Sequence, residues 1–117
     1  MNFALVFLGG GLGSLLRYAF SVYLPANNVL PVATLSANFL ASFLLGILIS
    51  IYASTSNQKL FFATGFCGGF STFSTFSAET LSLFQQGNYT VAVVNILLNV
   101  CCCIAAVAGG IFVANKF

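Results

Sequence analysis

Residues 65–80 read GFCGGFSTFSTFSAET, inside an apolar block long enough to cross a bilayer. Two successive glycines, Gly68 and Gly69, disfavour an unbroken helix. Phenylalanines and hydroxyls then recur every three residues, and the run closes around Glu79, the only acid in the chain. In hydrocarbon every carbonyl, hydroxyl and charge must find a partner. A polar run in that setting predicts an ion site or a path, or a kink whose freed groups are satisfied by neighbouring hydroxyls. The stretch alone leaves both readings open.

Working outward, the chain has 117 residues, of which 60% are hydrophobic and 3% charged. A soluble domain carries roughly 25% charged residues, so this composition cannot dress a water-facing surface and implies an integral membrane protein. The length suits a single domain, 1–117. Four apolar blocks stand out at 3–24, 32–53, 60–84 and 91–114, each long enough for a spanning helix of about 20 residues. The polar linkers PANNVLP, STSNQK and QQGNY separate them, punctuated by Pro25, Pro31 and Gly87. The alternating segments of a membrane barrel are missing. The expected fold is an all-α membrane protein of four transmembrane helices, with helix 3 broken mid-membrane. The N-terminus lacks the basic region of a signal peptide, and no basic tail or patch points to nucleic acid.

Charge says little about orientation. With four spans, Lys59 and Lys116 share a side and Arg17 approaches the other. So small an asymmetry barely engages the positive-inside rule, and the chain could insert both ways and pair with an inverted copy. One chain of four short helices encloses no pore, so transport requires an oligomer. Gly9 with Gly13, and Gly65 with Gly69, form GxxxG pairs, and Gly109-Gly110 repeats the small-residue theme.

Several residues could carry chemistry. Carbonyls freed at a helix break can coordinate a cation, and two copies meeting at an axis would supply four. Beyond the break, Phe70, Phe73 and Phe76 form one track, Ser71, Ser74, Ser77 and Thr80 a second, and Thr72 and Thr75 a third. A phenylalanine edge carries partial positive charge and hydroxyls donate hydrogen bonds, which together can replace an anion's hydration shell. Asn38 is a lone amide in the second block. It, Asn95 and Asn99 could serve an anion or glue helices together. Glu79 and Arg17 are intramembrane charges, a functional signal by default. They could pair, Glu79 could bind a proton or face a vestibule, and Arg17 could snorkel. Cys67 and Cys101–Cys103 lack metal or redox spacing, and the chain has no histidine. The Asn88-Tyr89-Thr90 sequon sits in too short a loop to be read as a glycosylation site. Neither a nucleophile–base set nor paired carboxylates occur, so the reading is not an enzyme.

Three motifs carry a family resemblance over nearly the whole chain. GGGLGSLLRY at 9–18, ATLSANFLASFLLG at 33–46 and GFCGGFSTFSTFSAE at 65–79 resemble those of the Fluc family of bacterial fluoride channels, also called CrcB. The third motif is the most specific. The resemblance implies an antiparallel, dual-topology homodimer, or a heterodimer with a related chain, in the bacterial plasma membrane. It implies two fluoride pores and a structural sodium ion at the dimer centre, held by the backbone of Gly68 and Ser71. Asn38, Phe73 and Phe76 would be pore residues, Ser74 and Thr75 would line the polar track with Glu79 beside it, and Arg17 would belong to the vestibule. The function implied is passive export of cytoplasmic fluoride to relieve its toxicity. The chain departs from the family pattern at Ala33 and Ala41, where glycines are usual, and at Cys101–Cys103, where a hydroxyl is expected. The competing reading is a small multidrug-type antiparallel exporter of toxic cations, which depends on an acid in helix 1. Helix 1 here has none.

Overall fold

The computed structural model describes residues 1–24, 30–52 and 54–117. Pro25 lies outside the described residues. Helix α1 spans Asn2–Tyr23 and α2 spans Val32–Ile51. The third block opens as a π-helical stretch, Lys59–Cys67, and continues into an α turn at Gly68–Phe70; the two together are α3. Helix α4 covers Phe73–Gln85 and α5 covers Tyr89–Lys116. Among the described residues all regular structure is helical. Helices α1, α2 and α5 are each long and apolar enough to cross a membrane. The span expected at 60–84 is shared between α3 and α4.

The interruption falls later than the glycines suggest. Gly68 and Gly69 are helical, whereas Ser71 (φ −83°, ψ 155°) and Thr72 (φ −151°, ψ 123°) are extended. Packing explains the first half of this difference. A Cβ on Gly69 would run into the carbonyl of Gly10, so that glycine serves close approach to α1, not chain reversal. Capping explains the second half. The Thr72 hydroxyl accepts from the Thr75 N–H at 3.3 Å, satisfying one of the free donors that begin a helix.

Two helix pairs form the body: α2 lies along α5, and α1 along α3. Both pairs close on glycine. A Cβ on Gly13 would overlap the Phe66 carbonyl, and one on Gly110 the Phe43 carbonyl. Lipid gives helices no hydrophobic reason to associate, so this backbone-to-backbone approach and its dispersion energy hold them together. Ala37, Ala41 and Phe70 form one small core, with Phe20 and Phe66 against it. Leu48, Ala63 and Cys67 form another. Outward faces are apolar: Phe3, Phe7, Leu15, Leu97, Ile104 and Phe112 all lie exposed, as lipid contact requires.

Helix α4 returns to α5 through a tight turn. Gly87 takes φ +80°, its N–H donates to Phe84 O at 3.1 Å, and Asn88 N–H donates to Leu83 O at 2.9 Å. This paired pattern around a left-handed residue closes a helix C-terminus, and a side chain at that φ is strained. The reversal sets α4 against α5.

Candidate functional site

The site is built around the two residues that leave the helix. Thr72 N–H, released from the helical ladder, donates to Asn38 Oδ1 at 2.8 Å. Asn38 Nδ2 faces the Thr72 carbonyl at 3.4 Å and donates to Asn99 Oδ1 at 3.0 Å. Asn38 thus sits one helix away from the interruption and covers both its backbone groups. The contact to Thr72 O is at the long limit of a hydrogen bond, so one Asn38 N–H is only weakly held.

That amide opens onto a cavity of about 290 Å³. Its lining brings Asn38, Phe73 and Phe76 together with Ser42, Ser71 and Asn99. The Phe73 and Phe76 ring centroids are 5.5 Å apart with their planes inclined at 48°. Phe76 is buried, whereas Phe73 is 78% exposed. No lining residue carries a formal charge. The cavity therefore offers the Asn38 amide, the Ser42 hydroxyl and aromatic edges, a set that suits a small anion and includes no charged side chain.

The remaining expected residues lie elsewhere. A second cavity of about 250 Å³ is lined by Ser14, Arg17, Tyr18, Ser21, Thr34 and Thr75, together with Ala33. Thr34 and Asn38 stand about one turn apart on α2, so the two cavities follow one another along that helix. The Thr34 hydroxyl donates to Glu79 Oε1 at 2.5 Å, so Glu79 is bonded to a lining residue of this second cavity without lining it. Arg17 Nε donates to Gly69 O at 3.2 Å. Among the described residues no ion pair joins Arg17 to Glu79. Arg17 turns toward the C-terminal end of α3, where free carbonyls and the helix dipole favour a cation. Ser74 is exposed and shares a hydrogen bond of 3.0 Å with the Thr72 hydroxyl.

Gly68 and Ser71, the expected cation ligands, flank the end of α3. Ser71 N–H and its hydroxyl both go to Cys67 O, at 3.0 and 2.9 Å. Thr72 N–H goes to Asn38 and Thr75 N–H to the Thr72 hydroxyl. These are the donors that an unbroken helix would have sent to the carbonyls of Gly68 and Ser71. Both oxygens are left without a helical partner, and a cation or water could take them.

Six lining residues stand outside the site assigned from sequence: Ser42, Thr72, Asn99, Val100, Cys103 and Ile104. Asn99 was legible as a buried amide. Ser42 follows Asn38 by four residues and so shares its helix face. Cys103 follows Asn99 by the same step and stands on the lining where a hydroxyl was expected.

A family model described as CrcB-like protein, Camphor Resistance (CrcB), matches residues 4–111. The chain is 47% identical to a protein of Pyrococcus furiosus named fluoride-specific ion channel FluC, covering 97% of this chain and 95% of that one. It is 46% identical to the protein of that name from Serratia proteamaculans, over 80% of this chain and 78% of the relative. It is 41% identical to that of Azobacteroides pseudotrichonymphae, over 97% and 95%.

Proposed function

The chain belongs to the CrcB family, and from that membership we propose that it is a fluoride-selective channel that lets cytoplasmic fluoride leave passively. The observation that carries this reading is the uncharged cavity where the weakly held Asn38 N–H meets Phe73 and Phe76. A fixed cation inside the path would trap an anion, and a titratable base would couple transport to protons. Neutral donors and ring edges replace part of the hydration shell without either effect. Hydrogen fluoride crosses membranes as a neutral acid and ionises at neutral pH. The trapped anion then needs only a selective path down its gradient. The helix-1 acid of a cation exporter is missing, and Glu79 is already engaged by Thr34.

The assembly proposed is an antiparallel pair of these chains meeting at the ends of α3. Exposed Gly68 and Phe73 would face the second copy. Four neutral carbonyls, from Gly68 and Ser71 of each copy, suit a sodium ion. Neutral oxygen ligands of this kind suit a hard cation. When bound, the ion would supply a fixed positive charge that favours an anion nearby. Arg17, on Gly69 O, stands beside this site and does not occupy either ligand.

Efflux from liposomes, followed with fluoride- and chloride-selective electrodes, tests the function. Rapid fluoride loss with chloride retained is expected. Folded, reconstituted protein that passes no fluoride would sink the reading. Phe76→Ile should stop the flux and leave assembly unchanged on size-exclusion chromatography. Unchanged flux would remove Phe76 from the path.

A further inference from the structure

Asn95 and Asn99 are deeply buried on α5, at 0% and 6% exposure. A buried amide costs several kcal/mol unless its groups are paired, and these two are paired in an ordered way. Asn38 Nδ2 donates to Asn99 Oδ1 at 3.0 Å. Asn99 Nδ2 donates to Asn95 Oδ1 at 3.0 Å and to Asn95 O at 2.9 Å. Asn95 Nδ2 donates to the Thr80 hydroxyl at 3.0 Å, which donates to Phe76 O at 2.7 Å.

The direction of this chain is fixed at both ends. Thr72 N–H can only donate, so the Asn38 atom it meets is the oxygen. That turns Asn38 Nδ2 toward Asn99. At the other end Phe76 O can only accept, so the Thr80 hydroxyl points its proton there and must itself accept from Asn95. Each amide has one orientation that satisfies its neighbours, and all three orientations agree. The chain leaves the start of α4 at Thr72, crosses α2 and α5, and returns to α4 at Phe76.

We propose that Asn99, Asn95 and Thr80 are positioning residues for anion passage, which together fix the Asn38 amide so that its second N–H faces the cavity. The proposal rests on the channel reading. Neither Asn95 nor Thr80 lines the cavity, so their effect would have to travel through the chain. Without the Thr80 hydroxyl, Asn95 Nδ2 loses the one acceptor it has among the described residues. Rotating the Asn95 side chain relieves this but withdraws Oδ1 from Asn99, which then keeps one backbone acceptor. The group that accepts from Asn38 is loosened.

The test compares reconstituted wild type, Thr80→Val and Thr80→Ser. Valine keeps the shape and loses the hydroxyl; serine restores it. Thr80→Val should slow fluoride efflux roughly tenfold, the low end of what losing the hydrogen-bonded partner of a ligand costs at metal sites, and Thr80→Ser should recover it. The Asn38 side-chain amide resonances, read by 15N NMR, should move in Thr80→Val and stay in Thr80→Ser. Wild-type flux in Thr80→Val, or an Asn38 amide it leaves unmoved, overturns the proposal. If wild type passes no fluoride, the channel reading falls and the amide resonances alone decide this one. Should Thr80→Val not fold, Asn95→Ala cuts the same link and is judged by the same two readouts.

Discussion

Asn38 answers the backbone of Thr72 with both halves of its amide, across a separation of 34 residues. The N–H of Thr72 points into the protein, and without Asn38 Oδ1 it would be an orphaned donor. Leaving such a group unsatisfied costs about 1–3 kcal/mol. Asn38→Leu should lower thermal stability in detergent by that amount and remove the cavity's main donor, so fluoride efflux should fall to background. A variant that unfolds as wild type does would show that the interruption holds itself open. The sequence marked Asn38 as a lone amide in an apolar helix, open between an anion ligand and interhelical glue, and only the family resemblance named it a pore residue. It could not name Thr72 as the partner, because the pairing depends on how α2 meets the end of α3. The same holds for Asn95 and Asn99. Their spacing of four residues shows a shared helix face, while the order of their hydrogen bonds exists only in the assembled bundle.

Glycines that look alike in an element do different work in the packed protein. Gly11 and Gly13 both lie inside α1. A Cβ on Gly11 meets nothing within 4 Å, whereas one on Gly13 would strike the backbone of Phe66 and Phe70. Gly11→Ala should therefore be neutral or stabilise by up to about 1 kcal/mol, through helix propensity alone. Gly13→Ala must push α1 off α3 and should destabilise by about 1–3 kcal/mol, the usual range for overpacking. Parallel thermal melts of the two variants check this, and equal shifts would show that α1 and α3 do not touch as described. The same contrast explains why the break was only half legible. Gly68-Gly69 looks like a helix breaker, yet Gly69 is spent on contact with Gly10, and the chain leaves the helix at Ser71-Thr72. The cap was not singled out by the sequence either: Ser71, Thr72, Ser74 and Thr75 all carry a hydroxyl that can cap a helix, and the structure uses Thr72. Double glycine is a strong local cue, and tertiary packing overrode it.

Across the whole molecule the scarcest feature is charge, with three basic residues and one acid in 117 positions. Arg17 and Glu79 are engaged inside the bundle, which leaves Lys59 and Lys116 near helix ends to bias insertion. Both fall on one side if the segment from α3 through α4 crosses as a unit. An antiparallel pair needs both orientations in comparable amounts, so a chain that functions this way must keep its bias weak. The proposal is thus exposed to a test that touches neither cavity. Thr55→Lys with Asn57→Lys adds basic charge to the side that carries Lys59, and Gln85→Lys with Gln86→Lys, made together with Lys59→Gln and Lys116→Gln, moves the basic excess to the opposite side. The four positions that gain a lysine are exposed. By the positive-inside rule each set should drive the chain into one orientation, and the two sets into opposite ones. Expressed alone, each variant should lose fluoride efflux for want of an inverted partner. Expressed together, they should regain it, because each supplies the orientation the other lacks. Tag accessibility on either face of the membrane reads the orientation independently of flux. A variant shown to insert one way only, and still conducting alone at the wild-type rate, would rule out the antiparallel pair and with it a cation site assembled from two inverted copies of the α3 end.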